Sequence, residues 1–406
     1  MITNSSTRRG PRLSRVAGFW TAAALLASFL VGSTAPTPLY DIYQRQWHFS
    51  ATVLTVIFAV YAAAVLVTLL VAGKLSDYLG RRPIIISALV TTVIGTVLFL
   101  AAHGVAWLMM ARAFQGIGTG AATPAISAML VDLQVPGSQR GPLFATISPG
   151  IAMAVGVMVS AVLAQYAPNP TQLIWIVLLA IFVVGVLAAF AMPESVSRRP
   201  GALRSLRPRV GIPAGGVGVF VVGIPGMVAV WALAAFVQSL GPALVSGILG
   251  STNLLWGALM TVLLTGLGSV GMLILRNATP SLTMRVGLIV LAVGSLVTLV
   301  AAIHGSVWLF VGTGVAGVGW GISYLGLFHT MVAIARPSER AELVSVIYIV
   351  GYLGMSVPAI IAGLAVTRWG IRPASMGVLA AVSLLAVMTI VGEWLEAHRS
   401  TPTGPQ

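Results

Sequence analysis

Few side chains in this 406-residue sequence could carry out chemistry. The chain has eight acidic residues, five histidines and no cysteine, which excludes disulfides, thiolate metal sites and cysteine nucleophiles. It contains no His-Glu-x-x-His and no Gly-x-Ser-x-Gly pattern, and its acids are scattered along the chain. The sequence therefore predicts a protein that is not an enzyme and that holds no metal and no cofactor.

One basic residue stands apart from the others, because Arg112 lies inside a long apolar segment. Charge within a membrane span is costly and usually functional. Gln115 follows three residues later, so both side chains share one helix face. We expect Arg112 to line a cavity, where it binds an anionic group or modulates a proton step. The alternative is a structural arginine that bonds carbonyl groups of an adjacent helix.

The elements that must position these residues follow from composition. The chain is 58% hydrophobic and 7% charged, whereas an ordinary soluble protein is about 25% charged. A membrane span needs roughly 20 apolar residues. Such stretches predict an all-α membrane protein with twelve transmembrane helices at 17–39, 52–73, 83–102, 106–131, 142–165, 172–192, 214–240, 252–275, 282–303, 307–333, 343–366 and 373–393.

The N-terminus admits two interpretations. Arg8, Arg9, Arg12 and Arg15 precede the first apolar run, as in a secretion signal. The run of about 22 residues is long for a signal, however, so we expect a retained first helix.

Basic residues predict the orientation. With the N-terminus inside, the cytoplasmic segments hold 18 of the 22 lysines and arginines, which places both termini in the cytoplasm of an inner (plasma) membrane. The net charge of +14 then reflects topology and lipid contact, and no nucleic-acid partner is expected. Aromatic residues at predicted outer helix ends suggest an interfacial belt: Tyr40, Tyr43, Trp47, Trp107, Trp175, Trp308 and Trp369.

An arginine-rich break divides the predicted helices six and six. The resulting organisation is a basic cytoplasmic tail 1–16, a first bundle 17–193, a cytoplasmic linker 194–213, a second bundle 214–396 and a tail 397–406. Gly116-x-Gly118-x-Gly120 and Gly317-x-Gly319-x-Gly321 lie 201 residues apart, and Arg140 and Arg340 lie 200 apart. Near-equal offsets indicate an internal repeat, with a substrate site between the halves.

The loop between predicted helices 2 and 3 reads Gly73-Lys-Leu-Ser-Asp77-Tyr-Leu-Gly80-Arg81-Arg82. This resembles the signature loop of the major facilitator superfamily of secondary transporters, and every defining position is present. Arg112-Ala-Phe-Gln115-Gly116-x-Gly118 resembles the second motif of that family, and Asp132 and Arg140 also match. The corresponding loop of the second half, from Arg276 to Arg285, is degenerate.

The resemblance implies a cytoplasmic latch. Asp77 would accept hydrogen bonds from the N-terminus of the eleventh helix, where negative charge is favoured. Arg81 would pair with Asp132, while Gly73 and Gly80 allow close helix approach or positive φ. The full predicted set is Gly73, Asp77, Gly80, Arg81, Arg82, Asp132 and Arg140. The alternative is that these residues only set topology and loop shape.

The resemblance also implies that helices 1, 4, 7 and 10 line a central cavity. Candidate substrate residues are then Arg112, Gln115, Trp231, Gln238, Trp320, Tyr324, Tyr348 and Tyr352. Plain helix packing is the alternative for each aromatic residue. Pro36 and Pro38 are expected to end the first helix, and Pro225-Gly226 falls within the seventh; such breaks permit bending.

Proton coupling is constrained by the acids, because none is predicted at mid-membrane. Asp41 and Arg112 are the candidate coupling residues, and Asp41 qualifies only if the first helix extends beyond residue 39. Many proton-driven carriers use a buried carboxylate. Its absence, together with Arg112, favours an anionic or neutral amphipathic solute.

The predicted function is secondary transport by alternating access, with export of an anionic or neutral amphipathic drug or metabolite. The resemblance implies proton antiport as the coupling, and facilitated diffusion is the alternative because no acid is predicted at mid-membrane. An uptake carrier or facilitator for a small metabolite or sugar is the alternative. An intramembrane enzyme or membrane scaffold is far weaker. The expected partners are a small-molecule substrate, protons and the lipid bilayer, and by analogy the protein is a monomer.

Overall fold

The computed structural model describes residues 13–399, within which every regular element is a helix. The outer parts of both predicted tails, with Arg8, Arg9 and Arg12, lie outside the described residues. The first half comprises α1 (Arg15–Thr34), α2 (Pro36–Trp47), α3 (Ala51–Ala72), α4 (Ser76–Leu79), α5 (Arg81–Leu100), α6 (Val105–Leu133), α7 (Arg140–Tyr166) and α8 (Leu173–Ala191). After the short α9 (Ala202–Ser205) come α10 (Val217–Leu249), α11 (Leu254–Leu275), α12 (Pro280–His304), α13 (Trp308–Ala333), α14 (Arg340–Trp369) and α15 (Ile371–Arg399).

Eleven helical stretches within residues 13–399 are long and apolar enough to cross a membrane, with α1 and α2 together forming one of them. The twelfth rod is α6, which has 29 residues. Its mean hydropathy is lowered by its glycines and threonines and by Arg112 and Gln115. The helix tolerates these residues because they are buried against other helices. The predicted count of twelve therefore holds.

The two halves repeat one packing pattern. In the first half α6 packs against α3 and α5, and α8 packs against α5. In the second half α13 packs against α11 and α12, and α15 packs against α12 in the same way. The predicted pair of related six-helix bundles is thus present in the helix contacts.

The repeated glycines explain part of this symmetry. A methyl group at Gly116 or Gly120 would strike the backbone of α3, and one at Gly118 would strike α5. Their counterparts behave identically: Gly317 and Gly321 face α11, and Gly319 faces α12. Small residues let membrane helices approach closely, so the glycine run packs helices and does not form a nucleotide loop.

Several boundaries differ from prediction. The first helix, α1, ends at Thr34, before Pro36, but the span continues beyond the predicted end, since Pro36 begins α2, which runs on to Trp47. Proline is tolerated at the first position of a helix because its missing N–H is not needed there. The seventh helix, α10, continues through Pro225 and Pro242 to Leu249, nine residues beyond the predicted end.

The bundle has two ends. The turn between α3 and α5, the linker and the described ends of the chain lie at one end, called here the basic face; the other end is called the distal face. Trp308 and Trp369 are exposed near the distal face, as a belt requires. Tyr40, Tyr43 and Trp175 are instead fully buried, and Trp175 stacks on Phe99 with ring centroids 4.0 Å apart. For these three the predicted belt is wrong, because helix ends here are covered by neighbouring helices.

Candidate functional site

The signature loop forms an ion cluster at the basic face. The Arg81 guanidinium pairs with Asp77 one turn earlier, and its Nε lies 3.4 Å from Asp132 Oδ2 at the end of α6. Ser195 Oγ donates to the same Asp132 oxygen at 2.7 Å. Arg81 thereby ties the loop to α6, and Ser195 ties the segment that follows α8 to the same acid.

Glu194 completes this cluster and was not identified from the sequence as one of its members. Its carboxylate accepts hydrogen bonds from the backbone N–H groups of Arg81 at 2.9 Å and Arg82 at 3.1 Å. These are orphan donors at the start of α5, where a negative charge is favoured. The sequence shows Glu194 only as a single acid after a long apolar helix. Its contact with the start of α5 arises only when the chain folds.

Asp77 does not meet the partner that the resemblance implies. Within residues 13–399 no hydrogen bond or ion pair joins the signature loop to α14, and the Asp77 side chain is about half exposed. Arg140 begins α7 and is exposed there. Of the two contacts of the predicted latch, the Arg81–Asp132 pair is therefore present, whereas the contact of Asp77 with α14 is not formed in this conformation.

Arg112 lies at the centre of the first half and is fully buried. Its Nη1 donates to the carbonyl of Ser33 at 2.9 Å and to Gln115 Oε1 at 2.7 Å. The rings of Tyr40, Phe58 and Tyr61 surround the guanidinium, with the Tyr61 centroid 4.8 Å from Cζ. Phe58 and Tyr61 were missed from the sequence, although their spacing puts both on one face of α3.

The surroundings of Arg112 fit both roles that the sequence left open, ligand binding and helix packing. The hydrogen bond to the Ser33 carbonyl serves packing, since it holds α6 against the end of α1. Nε and Nη2, however, are buried and have no hydrogen-bond partner. Unpaired donors of a buried cation are expensive, so these two positions are suited to an anionic ligand.

The α1–α2 junction beside Arg112 is held by side chains of other helices. Pro36 has no N–H to donate to the carbonyl of Gly32, and Gln115 Nε2 takes that acceptor at 2.7 Å. The carbonyl of Ala35 accepts from Ser160 Oγ of α7 at 2.6 Å. Ser160 carries no distinguishing sequence signal, and its role depends wholly on tertiary placement.

An aromatic cluster in the second half faces α3. Trp231 of α10 contacts Tyr352 of α14 and Tyr324 of α13, with ring centroids 4.8 and 6.2 Å apart. Tyr348 extends the cluster from Tyr352. We call Trp231, Tyr324, Tyr348 and Tyr352 the aromatic box; all four are partly accessible, whereas Arg112 and Gln115 are sealed.

The remaining cavity candidates lie elsewhere. Trp320 donates its indole N–H to the carbonyl of Val230 at 2.9 Å, and its ring fills the space beside Gly268, so it packs helices. Gln238 is buried in α10, about two turns from Trp231 toward the distal face.

Asp41 lies inside α2 and not in a loop, because that helix extends past the predicted end. Its carboxylate pairs with Arg45 Nη2 at 2.7 Å. With Gln165, Thr252 and Leu254 the pair lines a cavity of about 300 Å³ near the distal face.

The halves are joined chiefly toward the distal face. Thr52 Oγ1 lies 2.9 Å from Thr367 Oγ1, and Gln165 Oε1 accepts from the N–H of Leu254 at 3.0 Å. A third bond, from Ser269 Oγ of α11 to the carbonyl of Ile147 of α7 at 3.1 Å, lies about two turns from the basic-face ends of these helices. Near the basic face, by contrast, α3 and α14 share no hydrogen bond within the described chain, and α7 and α11 are the pair that joins the halves there.

The fold and the site together define a membrane transporter built from two helical bundles. The Major Facilitator Superfamily profile matches residues 17–357, and the chain belongs to that family of transporters, which are not enzymes. A bacterial homologue of the human lysosomal transporter Spinster, solved in an inward-facing and occupied conformation, aligns with a TM-score of 0.77 and 14% identity over 95% of this chain and 98% of its own. A mutant of the nucleoside transporter NupG aligns with a TM-score of 0.71 and 11% identity, covering 92% of this chain and 99% of its own.

Curated relatives match only in part. An uncharacterized MFS-type transporter of Mycobacterium tuberculosis (strain ATCC 25618 / H37Rv), Rv1877, is 34% identical over 103 residues, which is 25% of this chain and 15% of that protein. Multidrug resistance protein 3 of Bacillus subtilis (strain 168) is 31% identical over 109 residues, 26% of this chain and 21% of its own length. The matched segment thus spans less than a quarter of either relative.

Proposed function

We propose that this transporter exports an anionic or neutral amphipathic organic solute by alternating access. The observation that carries the proposal is the Arg112 centre: a fully buried cation with two unpaired nitrogens, aromatic walls and, among the described residues, no acidic side chain in contact. Partial likeness to a protein named for multidrug resistance supports export.

The proposed cycle uses the two halves, 17–193 and 214–396, as rocking units joined by the linker 194–213. We place the basic face and both termini in the cytoplasm, since the sequence predicts 18 of the 22 lysines and arginines on that side. In the opposite state Asp77 would meet the N-terminus of α14 and the distal bonds would open. A monomer suffices for this cycle.

Facilitated diffusion is the second candidate. It is favoured by the lack of a carboxylate deep in the described spans. Asp41, the acid of α2, is paired with Arg45 near the distal face. Proton antiport would instead have to use Arg112 or Asp41.

Flux of a panel of organic anions, neutral solutes and cations into proteoliposomes, with and without a pH gradient, tests the proposal. We expect anions or neutral amphiphiles to move, and a response to the gradient separates antiport from diffusion. Arg112→Ala should abolish anion flux, whereas Arg112→Lys, which keeps the charge, should retain part of it. Tight uptake of an organic dication that survives Arg112→Ala would contradict the proposal.

A further inference from the structure

The aromatic box holds an indole whose N–H is unused. Trp231 Nε1 is buried and has no hydrogen-bond partner. Trp320, one helix away, gives its indole N–H to Val230. A buried indole N–H normally finds a partner, because an unpaired donor does not recover its desolvation cost. The contrast between these tryptophans marks Trp231 as a donor that awaits an acceptor.

The backbone makes room for this indole. A methyl group at Gly351 of α14 would lie 2.6 Å from Trp231 Cε2 and 2.8 Å from Nε1, so the ring and its N–H edge sit directly on the α14 backbone, and an acceptor reaches the N–H when α14 moves away from α10. Its other neighbours are the rings of Tyr324 and Tyr352. Such flat apolar walls suit a planar ring, which would stack or contact edge to face.

Phe58 connects the box to Arg112. Its ring centroid lies 5.8 Å from Arg112 Cζ, and its other side packs in a buried cluster that Trp231 and Tyr352 border. Phe58 is therefore the one ring that lies between the Arg112 guanidinium and the box, in a medium of low dielectric where a charge is felt beyond its direct contacts. Aromatic faces alone would also attract cations, but this charge opposes them.

We propose that the box is the binding site for the ring of an aromatic carboxylate, with a ligand oxygen accepting from Trp231 Nε1 and Arg112 supplying the favourable potential. This inference rests on the proposed function, because it names the substrate class of that transport site. It adds Trp231 as a specificity-determining residue in the half that does not contain Arg112.

Calorimetric titration of the purified full-length protein in detergent tests the site without requiring transport. The probe is 1-naphthoate, compared with 1-naphthylmethylammonium, which keeps the ring and reverses the charge, and with cyclohexanecarboxylate, which keeps the charge and loses aromaticity. We expect 1-naphthoate to bind at least tenfold more tightly than either. Trp231→Phe, which keeps an aromatic ring and removes the N–H, should weaken 1-naphthoate about tenfold, whereas Trp256→Phe at an exposed position of α11 should not.

The outcomes distinguish the proposed binding site in the aromatic box from the proposed transport function. Equal binding of the two naphthyl compounds, or an unchanged affinity in a Trp231→Phe protein whose thermal unfolding matches the wild type, would overturn the inference. If proteoliposomes then carry another solute that needs Arg112, the proposed function stands alone. Trp231-dependent binding of 1-naphthoate without flux of any solute would support the site and remove the transport proposal.

Discussion

At the scale of single residues, Gly80 shows how a local signal acquires a distant reason. The signature pattern requires glycine there, and the residue adopts φ +99, a region that other residues rarely enter. The space beside it is occupied by the Glu194 carboxylate, which caps α5. Conformation and close approach therefore both exclude a side chain at this position.

Gly80→Ala should destabilise the protein, since the new methyl group would lie 2.6 Å from Glu194 Oε2 in a strained backbone. The expected loss is about 1–3 kcal/mol, measured as a lower thermal unfolding midpoint in detergent. Gly377→Ala is the matched control, because that glycine lies within α15 with open space around it. Equal midpoints for the two variants would show that Glu194 yields freely.

At the scale of elements, the break between α1 and α2 is an unusual junction. Pro36 removes the backbone donor for the Gly32 carbonyl, which Gln115 of α6 takes over, and Ser160 of α7 donates to the nearby carbonyl of Ala35. In a membrane each unpaired carbonyl would be costly. Gln115 thus replaces the donor that Pro36 removes, and Ser160 holds the junction against α7.

Gln115→Ala should unpair the carbonyl of Gly32 and remove one partner of Arg112, at a cost of about 1–3 kcal/mol. Adding Pro36→Ala supplies a new N–H for the same carbonyl, so the double variant should recover part of the loss. Thermal unfolding of the single and double variants measures this coupling. Strictly additive losses would mean that Gln115 does not compensate for the proline.

At the scale of the whole molecule, the contacts between α3 and α14 differ at the two ends of the bundle. The Thr52–Thr367 contact fastens α3 to α14 at the distal face, while the signature loop makes no bond to α14 among the described residues. In the described conformation α3 and α14 are therefore joined at the distal face.

The lack of cysteine in the sequence allows a direct cross-linking test of this state. Thr52→Cys with Thr367→Cys should form a disulfide under mild oxidation, because the two hydroxyls lie 2.9 Å apart. Flux in proteoliposomes should then stop and return on reduction. Lys74→Cys with Arg340→Cys, across the unformed latch, is the comparison pair and should link far less in the same protein. Efficient linking of the second pair alone would contradict the described conformation.

The sequence by itself determined the architecture: helix number, the six-plus-six division and the signature loop follow from hydropathy, charge and local motifs, which act over a few turns of chain. It also singled out Arg112 and Gln115, because a polar side chain in an apolar run is conspicuous. Only the tertiary structure decided what those residues touch. Three contacts join residues that are far apart in the chain: Glu194 with α5, Ser160 with the α1–α2 break, and Phe58 with Arg112. Such contacts depend on how the helices pack and tilt. Helix ends shifted for the same reason, since buried helices such as α2 and α10 continue wherever neighbours shield their backbone.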